Sequence, residues 1–211
     1  MPKRVGTYTL QMENRPCILG FAAVAGKKES EGPLASYFDR VYADNTLEED
    51  SWEKAESRLQ TEAVTLALQK ANKKAGEINY VFAGDLLNQC ISSTFGLRSL
   101  GIPFVGQYGA CSTMAQTLAL ASVFVESGAA QYTAAVTSSH FCSAERQFRF
   151  PLEYGGQRTP TAQWTATASG AAIVGSGAQL PYVSAVTMGR ISDLGVKDAA
   201  NICLLYTSRC V

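Results

Sequence analysis

Apolar positions along the chain fall into short runs separated by stretches with helical spacing. TYTLQM (7–12) and CILGFAAVAG (17–26) read as strands about a turn at Glu13–Pro16. A polar connection containing Gly32 and Pro33 leads through the acidic run Glu48–Asp50 into a long helix, about Trp52–Ala75. Ala55, Leu59, Ala63, Leu66 and Lys70 follow one stripe of it, Asp50 is placed to cap its start, and Gly76 sits where a glycine would end it. Tyr80–Ala83 reads as a buried strand, Ser92–Leu100 as a short helix and Pro103–Tyr108 as a strand. Cys111–Ser127 follows as an Ala- and Leu-rich helix stopped by Gly128, then Tyr132–Ser138 as a strand and Ser143–Pro160 as a polar loop. Ala171–Gly175 and Tyr182–Met188 complete the set of strands. Strands separated by helices imply an α/β domain with a largely parallel, covered sheet.

Charge sharpens this picture. The 211 residues carry 18 basic and 18 acidic side chains, of which 25 lie in residues 1–98 and one, Glu126, in residues 99–144. The neutral stretch is broken by Gly101, Pro103, Gln107, Gly109, Ser112, Gln116 and Gly128, so it never reaches the roughly 18 continuous apolar residues a spanning helix needs. It reads as buried sheet with a buried helix in its middle. A second uncharged stretch runs from Thr159 to Gly189. The balanced charge excludes a general nucleic-acid binder, and the hydrophobic content of 46% excludes a disordered chain. The start MPKRVGTYTL lacks the apolar run of a signal peptide, which points to an intracellular protein. Cysteines 17, 90, 111, 142, 203 and 210 form no CxxC pair and the chain has one histidine, so a metal site is not expected and the thiols are free, several of them buried.

The candidate chemistry sits at strand ends. Gly-Ala-Cys-Ser-Thr (109–113) joins a strand to a helix, with Gly109 permitting a tight elbow and Cys111 at the first helical turn. Unpaired N–H groups and the positive helix end favour a thiolate there, the setting of a nucleophilic cysteine; a small buried residue packing a helix start is the alternative. His140, after the strand of Ser-Ser-His, is either the base for Cys111 or a hydrogen-bonded structural residue. Asp85 ends another strand, as part of the same rim or as a cap for the segment after it. The loop at 144–164 carries Arg146, Arg149, Arg158, Tyr154 and Trp164. It is either a clamp for a planar anion or an ordinary surface or dimer-contact loop.

FAGDLLNQ (82–89), YGACSTM (108–114), VTSSHFCSAERQFRFPLEYGGQ (136–157) and GRISDLG (189–195) closely resemble the stage V sporulation protein AD family of endospore-forming bacteria, part of the thiolase-like superfamily. The resemblance runs from about residue 5 to Asn201. It implies the thiolase-like fold, layered α-β-α-β-α in the full protein, with residues 1–201 as mainly its N-terminal half. Residues 202–211, ICLLYTSRCV, do not resemble the family and read as a non-native tail. The implied role is binding of dipicolinic acid, with calcium accompanying it, by a peripheral protein on the cytoplasmic side of the spore inner membrane. There it would associate with channel proteins of the same spore system, and homodimerise. Cys111 matches the thiolase nucleophile, but the second half of a condensing-enzyme site is not in this sequence, so catalysis is not expected.

On that reading the helix start at Cys111, Ser112 and Thr113 would take one carboxylate. Arg149 or Arg158 would take the other, with His140 or Tyr154 near the ring and Asp85 on the same rim. The alternative is a ketoacyl synthase-like acyltransferase in which Cys111 accepts an acyl group from coenzyme A.

Overall fold

The computed structural model describes residues 1–148, 164–178, 181–190 and 195. Its central sheet has six strands: β3 (Cys17–Ala25), β4 (Arg40–Val41), β5 (Tyr80–Gly84), β6 (Phe104–Gly106), β7 (Tyr132–Ser139) and β8 (Ala168–Gly175), in the order β4-β3-β8-β7-β5-β6. The helices are α1 (Trp52–Lys70), α2 (Ile91–Leu97), α3 (Thr113–Glu126) and α4 (Phe141–Phe148). A small antiparallel sheet joins β1 (Lys3–Val5), β2 (Thr9–Gln11) and β9 (Ala185–Thr187) in that order. Among the described residues no helix is long and apolar enough to cross a membrane.

Side-chain alternation on the strands builds two cores. Val24, Val81, Ala83, Ala134, Val136, Ala171 and Ile173 face α1, where they meet Ala55, Leu59, Ala63, Val64 and Ala67. The alternate positions Phe82, Ala135 and Val174 face α3 and meet Ala121 and Val125. Phe82 packs edge-on against Phe124 with ring centroids 4.9 Å apart. Sheet and helices therefore form three layers, α1 and α2 on one face and α3 on the other.

Several expectations are corrected here. The sheet is mixed, because β8 runs antiparallel to both neighbours while β7-β5, β5-β6 and β3-β4 are parallel. The neutral composition of β8 marked it as buried but carried no sign of its direction. Ser51, in extended conformation, caps α1 by accepting the Lys54 N–H at 3.3 Å, while Asp50 pairs with the Lys54 ammonium. The helix ends at Lys70, and the left-handed residue after it is Asn72 (φ +52°), a type that tolerates this conformation, with the Lys73 N–H returning to the Leu68 carbonyl. Gly76 lies instead in a short turn of 3-10 helix. Residues 141–148, placed in a polar loop by composition from 143 onward, form α4. The strand expected at 182–188 is limited to β9 and a single bridge from Tyr182 to Cys17. The middle helix is one-sided: α3 buries Thr113, Thr117, Ala121 and Val125 but leaves Ala115 and Gln116 less covered.

Glu126, 2% exposed at the last residue of α3, accepts the N–H groups of Glu13 at 3.0 Å and Asn14 at 2.9 Å. A carboxylate opposes the helix dipole at this end, so its service to the β2–β3 turn accounts for its place. Glu126→Ala strands both donors and is expected to cost about 2 kcal/mol, read as a lower urea midpoint at unchanged m-value.

Candidate functional site

A cavity of about 620 Å3 opens where the end of β5, the end of β7 and the start of α3 meet. Ala110, Cys111 and Met114 form one wall, and Thr137, Ser138 and Ser139 come from β7. Ala168–Gly170 of β8, the approaching Trp164–Ala166, Ala23 and Leu86 complete the lining. Cys111 is exposed and is the only ionisable side chain among the described lining residues.

The turn that presents Cys111 differs in detail from expectation. Ala110–Ser112 is a short 3-10 turn and α3 proper begins at Thr113. The left-handed residue is Ala110 (φ +46°), whereas Gly109 has φ −130°. A Cβ at Gly109 would lie 2.5 Å from Gln116 Oε1 and 2.7 Å from Ser112 Oγ, so both side chains would have to turn aside. Ser112 Oγ donates to the Gly109 carbonyl at 2.7 Å, and Thr113 Oγ1 accepts the Gly109 N–H at 3.3 Å. Their hydroxyls thus brace the turn, and neither residue lines the cavity. Cys90 contrasts with Cys111: it is buried, its Sγ donates to the Gln107 carbonyl, and burial pushes its pKa up.

His140 and Asp85 follow strands that reach the cavity, but their side chains are engaged inside the protein. His140 is fully buried, with Nε2 donating to the Asn45 carbonyl at 2.7 Å and Nδ1 accepting the Cys142 N–H at 3.2 Å at the mouth of α4. Burial lowers its pKa below the ordinary histidine value, so the ring is neutral at pH 7. Asp85 is 1% exposed; it accepts from the Leu87 N–H at 2.9 Å and from the N–H and hydroxyl of Ser93 at 2.8 and 2.6 Å. It is a turn and helix-start acceptor, the second of its two sequence readings. Neither residue is part of the lining, although their neighbours Ser139 and Leu86 are. Arg149, Tyr154 and Arg158, like the segment 202–211, lie outside the described residues.

Sequence reading gave no individual role to three features. Trp164, there one residue of a long loop, lines the cavity, stacks on Phe141 with centroids 4.6 Å apart, and has the Lys28 ammonium 3.3 Å from its ring centroid. The hydroxyls of Ser139 and Ser169 are the second feature. Ser139 Oγ donates to the Ala166 carbonyl at 2.6 Å and Ser169 Oγ to the Thr137 carbonyl at 2.9 Å, tying β7 to β8 and to the segment before it. The third is a buried polar chain beneath Ser138. Glu56 Oε1 bonds Ser138 Oγ at 2.7 Å; Gln60 Nε2 donates to Ser138 Oγ at 2.7 Å and to Ser93 Oγ at 2.8 Å; Ser93 Oγ reaches Asp85. Glu56 is fully buried, and burial pushes its pKa up to about 7, with the like charge of Asp85 adding to the rise. The spacing of Glu56 and Gln60, four apart beside the apolar stripe of α1, is the signal that would have found them. Among the described residues no group of three or more His, Cys, Asp or Glu side chains is placed to hold a metal ion.

A cysteine presented at the start of a helix, above a mixed sheet with helices on both faces, defines a thiolase-like scaffold. Solved structures of that class are similar. Against 3-oxoacyl-[acyl-carrier-protein] synthase III from Aquifex aeolicus VF5 the TM-score is 0.53 at 16% identity, covering 78% of this chain and 55% of that one. Against OleA from Xanthomonas campestris bound with cerulenin it is 0.53 at 15% identity, covering 77% and 57%. Within this class the chain belongs to the stage V sporulation protein AD (SpoVAD) family, whose model matches residues 6–206. Stage V sporulation protein AD of Bacillus subtilis (strain 168) is 43% identical over 196 residues, which are 93% of this chain and 58% of that relative. The chain thus spans less than two thirds of that relative's length.

Proposed function

We propose that the cavity at Cys111 binds dipicolinic acid, and that the protein is the dipicolinate-binding component of the spore system that takes up this acid in sporulation and releases it in germination. The observation that carries this reading is the cavity itself, placed at the head of α3 in a member of the SpoVAD family. A flat pyridine with two carboxylates needs a planar surface, a cation and hydrogen-bond donors. In this reading the cation is Arg149 or Arg158 and the start of α3 at the Cys111 turn supplies backbone N–H donors, while Trp164, in the lining, carries Phe141 and the Lys28 ammonium on its own ring. Calcium accompanies the ligand, bound by it rather than by a resident metal site. The protein acts as a peripheral partner of channel proteins on the cytoplasmic side of the spore inner membrane, as a homodimer.

Calorimetric titration with dipicolinate tests the reading. Binding that weakens in Cys111→Ala, and in Arg149 or Arg158 variants, is the expected result; absence of binding with and without calcium overturns it.

The exposure of Cys111 favours one other reading, acyl transfer from coenzyme A. Such a reaction needs a base and an oxyanion hole, and His140 has both ring nitrogens committed to backbone groups. A thioester adduct on Cys111 after incubation with acyl-coenzyme A, seen by mass spectrometry, would establish this reading instead.

A further inference from the structure

We infer that the free end of the small sheet, the turn at residues 6–8 with residues 188–190 beside it, docks on the anionic headgroup surface of a lipid bilayer; the inference rests on the peripheral-membrane reading above. Large apolar side chains gather at this end and stay exposed: Val5 at 46%, Tyr8 at 48% and Met188 at 44%. The pairing register brings them together. Val5 lies opposite Thr9 and Thr9 opposite Thr187, and in the next row the Met188 N–H donates to the Tyr8 carbonyl at 2.9 Å.

The other end of the sheet is its root. There Met12 is buried, its N–H bonded to the Ser184 carbonyl at 2.9 Å, and Tyr182 bridges to Cys17 at the start of β3. Residues 3–8 and 187–190 are all exposed, so the free end stands out from the body. It is also shaped in advance. Arg4 donates from Nε to the Gly6 carbonyl at 3.2 Å and from Nη2 to the Thr7 carbonyl at 3.4 Å, which holds a positive charge in the turn itself. The Thr9 and Thr187 hydroxyls bond at 2.9 Å across β2 and β9.

Charge selects the occupant. Residues 2–11 and 184–190 contain Lys3, Arg4 and Arg190 and no acidic side chain, and all of these basic groups are exposed. An apolar tip within a basic collar is complementary to a surface that is negative outside and apolar just beneath, the order of layers met on entering an anionic bilayer. Tyr8 suits the boundary, with an apolar ring and a polar hydroxyl. A folded acidic partner would match the charges but would also have to supply a recess for the projecting side chains; a bilayer yields around them. Ala23, in the cavity wall, lies about 20 Å along β3 from the root at Cys17, so docking leaves the cavity free.

Co-sedimentation of the full chain with vesicles of phosphatidylcholine and phosphatidylglycerol, in a ratio of about two to one, tests the inference. Binding is expected on these vesicles and to be at least about tenfold weaker on phosphatidylcholine alone. Lys3→Gln and Arg190→Gln are each expected to weaken it about fivefold, and Tyr8→Ser combined with Met188→Ser about tenfold. Absence of binding to either vesicle overturns the inference. So does binding that responds to the basic residues but not to the Tyr8 and Met188 pair, which is adsorption of charge only. A dimer, seen by light scattering, that the same pair of substitutions dissociates also overturns it, because a second copy then covers the tip. Hydrogen exchange on the unmodified protein needs no variant: vesicles are expected to slow exchange at residues 3–8 and 187–190, and unchanged exchange there overturns the inference. Dipicolinate binding without vesicle binding overturns the docking inference alone and leaves the cavity reading standing.

Discussion

Gly84→Ala is expected to abolish the native fold or lower its stability by about 4 kcal/mol or more. Gly84 is the last residue of β5, and a Cβ built on it would meet the Gln107 carbonyl inside van der Waals contact and Thr113 Cγ2 at 2.7 Å. The first obstacle is backbone. Gln107 follows β6 and its N–H is bonded to the Ala83 carbonyl at 2.8 Å, so it cannot retreat without opening the β5-β6 ladder. The second obstacle is the buried Thr113 at the head of α3. Overpacked cores usually relieve strain through side chains, and here there is no flexible one to move. The damage lands on the elements that present Cys111. Circular dichroism and urea unfolding read the outcome; a variant within about 1 kcal/mol of the unmodified protein would show that β6 shifts freely.

Glu56→Gln is expected to stabilise the protein by about 3 kcal/mol at pH 8 and by almost nothing at pH 4, with the difference growing between about pH 4.5 and 7. The sign follows from burial. Glu56 holds its proton to about pH 7 when folded, against an ordinary value of 4.5 for the carboxyl in the unfolded chain. Its contribution is therefore fully present below pH 4.5 and is lost as pH rises toward 7, where the folded state must bury a charge that the unfolded state leaves in water. Glutamine never titrates, so other groups cancel in the comparison of the two proteins. Urea denaturation at several pH values checks it, and parallel curves would mean that Glu56 titrates alike in the folded and unfolded chain.

These two residues also mark how far the sequence could be read. Apolar runs placed β3, β5, β7, β8 and α1 to within a few residues, because burial on both faces of a sheet leaves no room for charge. The family blocks identified the class of protein, and Gly-Ala-Cys-Ser-Thr marked the strand-to-helix junction at which the cavity opens.

Direction and partnership were a different matter. Nothing local in ASGAAIVG tells that β8 runs against β3 and β7, since direction depends on how the preceding segment returns to the sheet. His140, Asp85, Ser112 and Thr113 were conspicuous as polar residues beside strand ends, and each has local backbone partners that a one-dimensional reading cannot see. Glu56 and Gln60 were passed over for the opposite reason, because polar residues on a long helix ordinarily face water. By itself the sequence determined the family, the buried strands and the position of Cys111. Only the tertiary structure decided which polar groups face the cavity and which are consumed within the protein, because a hydrogen bond joins groups such as Glu56 and Ser138, 82 residues apart, by distance and not by order along the chain.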